Sequence, residues 1–205
     1  MARLVAAKCD TFHPRRALIT AVAKKYLNVL SELIKKSNPA AITEALTFAA
    51  VHDHKDSLEI LLAGRNANLV EKILMRVAPD AQPDVVKLLL GRCDPAGHAG
   101  IFTNAAGLGF VGLVVLLLEE MNQRTIRCAL ISAATNGQAA GVVQLVDKSD
   151  PFSIVCAFEM AAVNGHVEVV EVLRDRCDAE TICFGMTSGR PDVVHLLRNK
   201  QSRRE

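Results

Sequence analysis

Residues 157–173 read AFEMAAVNGHVEVVEVL. Parts of this stretch recur along the chain at one fixed spacing, a step of 28, and the recurrence outweighs every other signal in the sequence. Ala161, Ala162, Gly165, Val170 and Leu173 return one step earlier as Ala133, Ala134, Gly137, Val142 and Leu145, and one step earlier again as Ala105, Ala106, Gly109, Val114 and Leu117. The same step then reaches Val77, Ala78, Ala81, Val86 and Leu89, next Ala49, Ala50, Asp53, Leu58 and Leu61, and last Ala21, Val22, Lys25, Leu30 and Leu33. A further copy follows at a spacing of 24, where SGRPDVVHLL at 188–197 matches NGHVEVVEVL at 164–173 and gives Gly189, Val194 and Leu197 the same roles. Self-similarity at a period of this size marks stacked supersecondary units, each too small to bury its apolar face alone.

A second marker keeps the same phase. Asp10, Asn38, Asn66, Asp94, Asn122, Asp150 and Asp178 follow one another at the identical step. An Asx side-chain oxygen accepts a backbone N–H from the first turn of a helix, and proline is favoured just after it, where Pro39, Pro95 and Pro151 stand. Each unit therefore reads as an Asx cap, a helix A of about three turns, a tight turn and a helix B of two to three turns. Gly109, Gly137, Gly165 and Gly189 are the turn residues expected at positive φ. Leu130, Ala133 and Ala134 in helix A, and Val142, Leu145 and Val146 in helix B, step by three and four along one helical face. Paired alanines allow neighbouring A helices to approach near the lower end of the usual ~8–10 Å spacing. No alternating apolar run bounded by turn residues suggests a strand. The expected fold is an all-α solenoid of stacked antiparallel helix pairs over residues 10–197, with units starting near 10, 38, 66, 94, 122, 150 and 178, about six of them full and the last shortened. Arg3 to Lys8 falls in phase with Ser31 to Lys36, so residues 1–9 read as an N-terminal half-unit cap and 198–205 as a basic C-terminal tail.

Composition agrees with this picture. The 205 residues are 50% hydrophobic and 22% charged, too apolar for disorder. Aromatics make up only 4% and Trp is absent, so the core is expected to consist of small and aliphatic side chains. A formal net charge of +2 lacks the concentrated basic face of a phosphate-binding domain, which makes nucleic acid an unfavoured partner. Arg15, Arg16, Lys24, Lys25, Lys35 and Lys36 near one end, with Arg190, Arg198, Lys200, Arg203 and Arg204 near the other, read as polar end caps. The opening MARLVAAKCD holds too short an apolar run for a signal peptide. The uncharged run from Pro95 to Leu118 holds His98, Asn104 and four glycines from Gly100 to Gly112 and keeps the repeat register, and so reads as a repeat and not as a membrane span. The cysteines are Cys9, Cys93, Cys128, Cys156, Cys177 and Cys183, none in C-x-x-C spacing. Cys128 and Cys156 hold equivalent sites roughly 10 Å apart in a stack, beyond disulfide reach. Reduced, half-buried thiols and a cytoplasmic location follow as the expectation.

The stretches AAVNGHVEVVEVL at 161–173, AAVHDHKDSLEILL at 49–62 and SAATNGQAAGVVQLV at 132–146 resemble the ankyrin-repeat family in their double Ala, Asn-Gly-His turn and Val-Val-x-x-Leu helix. The period here is 28, against about 33 in that family, and the units lack its β-hairpin finger. The resemblance implies a scaffold without catalysis that binds another protein through inner helices and turns. Its variable partner-facing positions fall on Ala23 and Lys24, Val51 and His52, Pro79 and Asp80, Gly107 and Leu108, Thr135 and Asn136, and Val163 and Asn164. It also implies that His54 and His166 bond backbone in a neighbouring turn.

The expected partner-binding residues are thus Lys24, His52, Asp80, Leu108, Phe110, Asn136 and Asn164. Leu108 and Phe110 replace polar residues in the uncharged central unit, which leaves two readings: a well-buried middle repeat, or an apolar patch for a partner or for self-association. No catalytic residue, metal ligand or cofactor is expected. The sequence shows no G-x-S-x-G elbow, and GLGFVG at 107–112 follows no strand. Two further readings remain: a processed, secreted pathogen effector that binds a host protein, and, of another class, an enzyme or nucleic-acid binder whose site the sequence does not display.

Overall fold

The structure, a computed structural model, describes residues 14–201, with side chains described to residue 199. The expected cap at 1–9, Cys9, the Asp10 cap, His13, and Arg203 and Arg204 lie outside the described residues. Among the described residues all regular structure is helical, as the all-α reading requires. The chain divides into two compact halves, Met1–Pro95 and Ala96–Glu205.

The N-terminal half pairs α1 (Pro14–Ala23) with α2 (Leu27–Lys36), α3 (Pro39–Val51) with α4 (Lys55–Leu62), and α5 (Ala67–Val77) with α6 (Pro83–Leu90). The C-terminal half pairs α7 (His98–Leu108) with α8 (Val111–Leu117), α9 (Gln123–Thr135) with α10 (Ala139–Val146), α11 (Pro151–Asn164) with α12 (Val167–Leu173), and α13 (Ala179–Ser188) with α14 (Pro191–Gln201). Odd-numbered helices are the A helices and even-numbered ones the B helices. In the N-terminal half α1 packs on α3 and α3 on α5, while α2 packs on α4. In the C-terminal half α7, α9, α11 and α13 pack in series, and so do α8, α10, α12 and α14. The paired alanines explain why this packing is close: Ala49, Ala50, Ala105, Ala106, Ala133, Ala134, Ala161 and Ala162 are all fully buried. Phe102 and Phe158 are the largest of the fully buried side chains.

The Asx positions cap the A helices. Asn38, Asn66, Asn122, Asp150 and Asp178 each accept a backbone N–H three residues on, at 2.8–3.0 Å. Asp94 departs from the expectation: Pro95–Gly97 forms a 3-10 turn, and α7 starts at His98 with Gly97 in the cap position. The Pro-Ala-Gly sequence accounts for this, since glycine in a first turn favours a tighter, less helical start. The Asp150 cap is the most elaborate. Ser153 donates both its hydroxyl, at 2.7 Å, and its N–H, at 2.9 Å, to the carboxylate, and Arg127 reaches it at 3.3 Å. The Ser153 bonds first, and Arg127 after them, hold the Asp150 carboxyl down to about 2 despite some desolvation.

The A-to-B turns repeat one geometry. Gly109, Gly137 and Gly165 take φ of 78°, 74° and 85°, and Lys25 and Asp53 take φ of 55° and 56° at the equivalent places. The N–H of the next residue returns to the carbonyl five positions back, from Tyr26 to Ala21, His54 to Ala49, Phe110 to Ala105, Gln138 to Ala133 and His166 to Ala161, each at 2.9 Å. This is the Schellman closure of a helix C-terminus. Gly189, expected to join this set, is extended instead, at φ −71° and ψ 162°. Proline at 191 disfavours the helical region for Arg190 before it, and the Arg190 N–H bonds the Ala162 carbonyl at 3.0 Å, so the shortened last pair is tied straight to α11. Val194 is half-buried, not in Val170's fully buried role.

Ion pairs reach from one helix pair to the next: Arg15 with Glu44, Lys55 with Asp84 at 2.9 Å, Lys148 with Glu119 at 3.2 Å and Arg176 with Asp147 at 2.5 Å. Most of these groups are exposed, with Glu44 and Lys55 half-buried, and such solvated pairs contribute little, so burial of the alanine and leucine rows is what holds each half together. The uncharged run from Pro95 to Leu118 breaks at Gly109 into two short helices. Among the described residues no helix is long and apolar enough to cross a membrane.

Candidate functional site

The residue just before each turn position closes helix A at Leu108 and Asn164 and follows its last turn at Lys24, His52, Asp80 and Asn136. Lys24, His52, Asp80, Leu108, Asn136 and Asn164 are all exposed, one at the head of each of six successive pairs. In the N-terminal half these residues are charged or aromatic. His52 stacks on Phe48, with ring centroids 4.1 Å apart and planes at 20°, and its Nδ1 lies 3.1 Å from the Phe48 carbonyl, which only a ring N–H can serve. In the C-terminal half they are apolar or amide. Asn136 donates Nδ2 to the Ser132 carbonyl at 2.8 Å, and Asn164 donates to the Met160 carbonyl at 2.7 Å, so each amide closes the last turn of its helix and keeps its oxygen for an outside donor.

Leu108 is 56% exposed, although Ile101, Phe102, Ala105, Ala106, Val114 and Leu117 of the same uncharged unit are fully buried. Phe110 does not share that exposure. It stands just before α8 and is half-buried. Among the described residues of this half the exposed large apolar side chains are Leu108, Val115, Val143, Phe152, Met160 and Val163, of which Leu108, Met160 and Val163 lie near the C-terminal end of an A helix. Met160 escaped the sequence reading, although it lies one helical turn before Asn164 and so shares its face.

His166 bonds backbone in the neighbouring turn, as the resemblance implies: Nε2 lies 2.8 Å from the Thr135 carbonyl. His54 makes no such bond and lies 6.1 Å from the Phe48 ring, centroid to centroid. The difference has a steric cause. The His166 ring rests on Gly137, where a Cβ would come within 2.6 Å of Nδ1. The turn facing His54 holds Lys25, whose own Cβ occupies that seat. Gly109 and Gly165 are covered in the same way, by Gln138 and Arg190.

The thiols are less uniform than expected. Cys93 is buried and Cys156 and Cys177 half-buried, but Cys128 and Cys183 are exposed, because they fall on the outward stripe of α9 and α13. Burial pushes Cys93 up to about 11 and Cys177 up to about 12, with nearby carboxylates adding to both. Among the described residues no three His, Cys, Asp or Glu side chains are placed to hold a metal ion together. No protein-family model matches the chain, and no curated protein matches its sequence.

Proposed function

We propose that this chain is an ankyrin-like repeat scaffold that binds another protein, without chemistry of its own, through the A helices and the turns that follow them. One observation carries the reading. A recurring turn, closed by the same 2.9 Å bond at Tyr26, His54, Phe110, Gln138 and His166, stands beside an exposed side chain that varies from pair to pair: Lys24, His52, Asp80, Leu108, Asn136 and Asn164. A framework held constant with one outward position free to vary spreads recognition over many weak contacts. The two halves offer different chemistry, charged and aromatic at Lys24, His52 and Asp80, uncharged at Leu108, Asn136 and Asn164.

The test uses the intact chain as bait for proteins in a cell lysate, beside a variant with Lys24, His52, Asp80, Leu108, Asn136 and Asn164 all changed to Ala. Both baits are expected to give the same helical circular dichroism, since none of the six is buried. A protein recovered by the first bait and lost by the second upholds the reading. Equal recovery by both refutes it and moves the contact to another face.

A further inference from the structure

The outward side of the B helices follows a polar register that two of them break. Gly112 and Val115 on α8 stand one repeat step before Ala140 and Val143 on α10. In every other pair both positions are polar, as Asp56 and Glu59 on α4, Asp84 and Lys87 on α6, and Glu168 and Glu171 on α12. Neither α8 nor α10 holds a charged residue, and the two helices pack side by side. Val115 and Val143 are 49% and 47% exposed, and Gly112 and Ala140 are exposed one turn before them. A single exposed valine needs no explanation, but four apolar positions in one block of an otherwise polar register form a patch. Gly112 adds to the case. Glycine inside a helix works against stability, and here neither a positive φ nor a neighbour within 4 Å requires it. Its missing side chain leaves room for a chain approaching from outside.

We propose that α8 and α10 form a second docking surface, for an amphipathic helix of a partner protein that has an apolar stripe and a basic flank. The stripe covers Val115 and Val143, with Gly112 and Ala140 letting its backbone come close. The flank is set by charge. α12 packs beside α10 and presents Glu168 and Glu171, both exposed, from a helix with no base of its own. The acids just beyond α8 and α10 are already answered, Glu119 by Lys148 at 3.2 Å and Asp147 by Arg176 at 2.5 Å, so a partner's cations are drawn to the α12 side. A helix is the fitting occupant because the backbone groups of α8 and α10 are spent within their own helices. An extended segment finds no strand edge there to pair with, whereas a helix brings its own hydrogen bonds already made. The surface lies on the B helices and stands apart from the A-helix reading proposed above.

The experiment is calorimetric titration of the full chain with a model amphipathic helix of about 18 residues, leucine at three- and four-residue spacing and lysine along one flank. The same peptide with glutamate for lysine, and phosphatidylserine-containing vesicles, serve as the other two arms. Saturable binding is expected for the lysine peptide, at least tenfold weaker for the glutamate peptide. Val115→Glu with Val143→Glu should weaken the lysine peptide at least tenfold and leave helical circular dichroism unchanged, since Glu59 and Glu171 already stand in that register. Glu168→Gln with Glu171→Gln leaves the apolar patch intact, and should weaken binding less while flattening its salt dependence. The proposal is overturned by an absence of saturable binding, by equal binding of the two peptides, or by equal binding to the valine variant. It is overturned as well if the valine variant abolishes vesicle binding or a self-association seen by sedimentation, because the patch then serves a membrane or a second copy. The variant with all six turn-side residues changed to Ala should bind the lysine peptide as the wild type does, so this outcome and that of the bait experiment are read separately.

Discussion

Gly137→Ala tests the packing of one turn against the next. Gly137 sits at φ 74°, so any side chain there takes on the left-handed strain, about 1 kcal/mol. That alone is tolerable, since Lys25 and Asp53 already adopt this conformation at equivalent turns. The larger effect comes from His166. The new Cβ would lie 2.6 Å from Nδ1 and 3.0 Å from Cε1 and Cγ, so the ring must leave its seat and give up the 2.8 Å bond to the Thr135 carbonyl. Losing that bond adds about 1 kcal/mol, with somewhat more where the Thr135 carbonyl stays dry. The expected total is roughly 2–3 kcal/mol, measured by urea denaturation followed by circular dichroism. A double-mutant cycle isolates the cause. In a His166→Ala background the ring is gone, and Gly137→Ala should cost only its backbone share, about 1 kcal/mol. Gly64→Ala gives the same figure independently, because Gly64 has φ 71° and open space around its missing Cβ. If Gly137→Ala costs as much without His166 as with it, the seating of one turn on the next is not what holds this turn.

Three further outcomes follow from particular sites. Gly112 lies inside α8 with nothing within 4 Å of an added Cβ, so Gly112→Ala should raise stability by about 0.5 kcal/mol in the same urea assay. Asp150 has a folded pKa lowered to about 2 from an ordinary 3.8, so its contribution is complete above the ordinary value and lost as the pH falls through about 2. The wild-type urea midpoint should therefore fall further between pH 5 and pH 2.5 than that of Asp150→Asn, which keeps a capping oxygen but no charge. Iodoacetamide labelling at pH 8, mapped by peptide mass spectrometry, should modify Cys128 and Cys183 first, with Cys93 and Cys177 at least tenfold slower because burial disfavours their thiolates.

The A helices and their caps were legible from residue type alone, because the requirement is local: an Asx oxygen three residues before an N–H needs no knowledge of the rest of the chain. Asp94 shows the boundary of that logic, where Pro95 and Gly97 alter the local backbone and the cap position moves. Glycine was readable at three turns for the same local reason, yet the left-handed Lys25 and Asp53 were not, since only the closing bond to Ala21 or Ala49 imposes that conformation on residues that resist it. Gly189 failed in the opposite sense. Its fate is set by Pro191 and by a carbonyl on α11, the latter a contact between elements that a periodic pattern does not encode. In the candidate site, exposure of the residue before each turn was legible from its place in the repeat, whereas the different burial of Leu108 and Phe110 was not, since both are large apolar residues beside the same turn.

In the C-terminal half each left-handed glycine is roofed by a side chain from the pair that follows: Gln138 over Gly109, His166 over Gly137 and Arg190 over Gly165. The dependence runs one way along the chain, and this gives the half a direction during synthesis. A turn leaving the ribosome stays unroofed until the next pair of helices has emerged, so order is passed backwards from each new pair to the one made before it. Shortening this half from its C-terminal side strips the roof from the last remaining turn, whereas shortening it from its N-terminal side leaves every surviving roof in place.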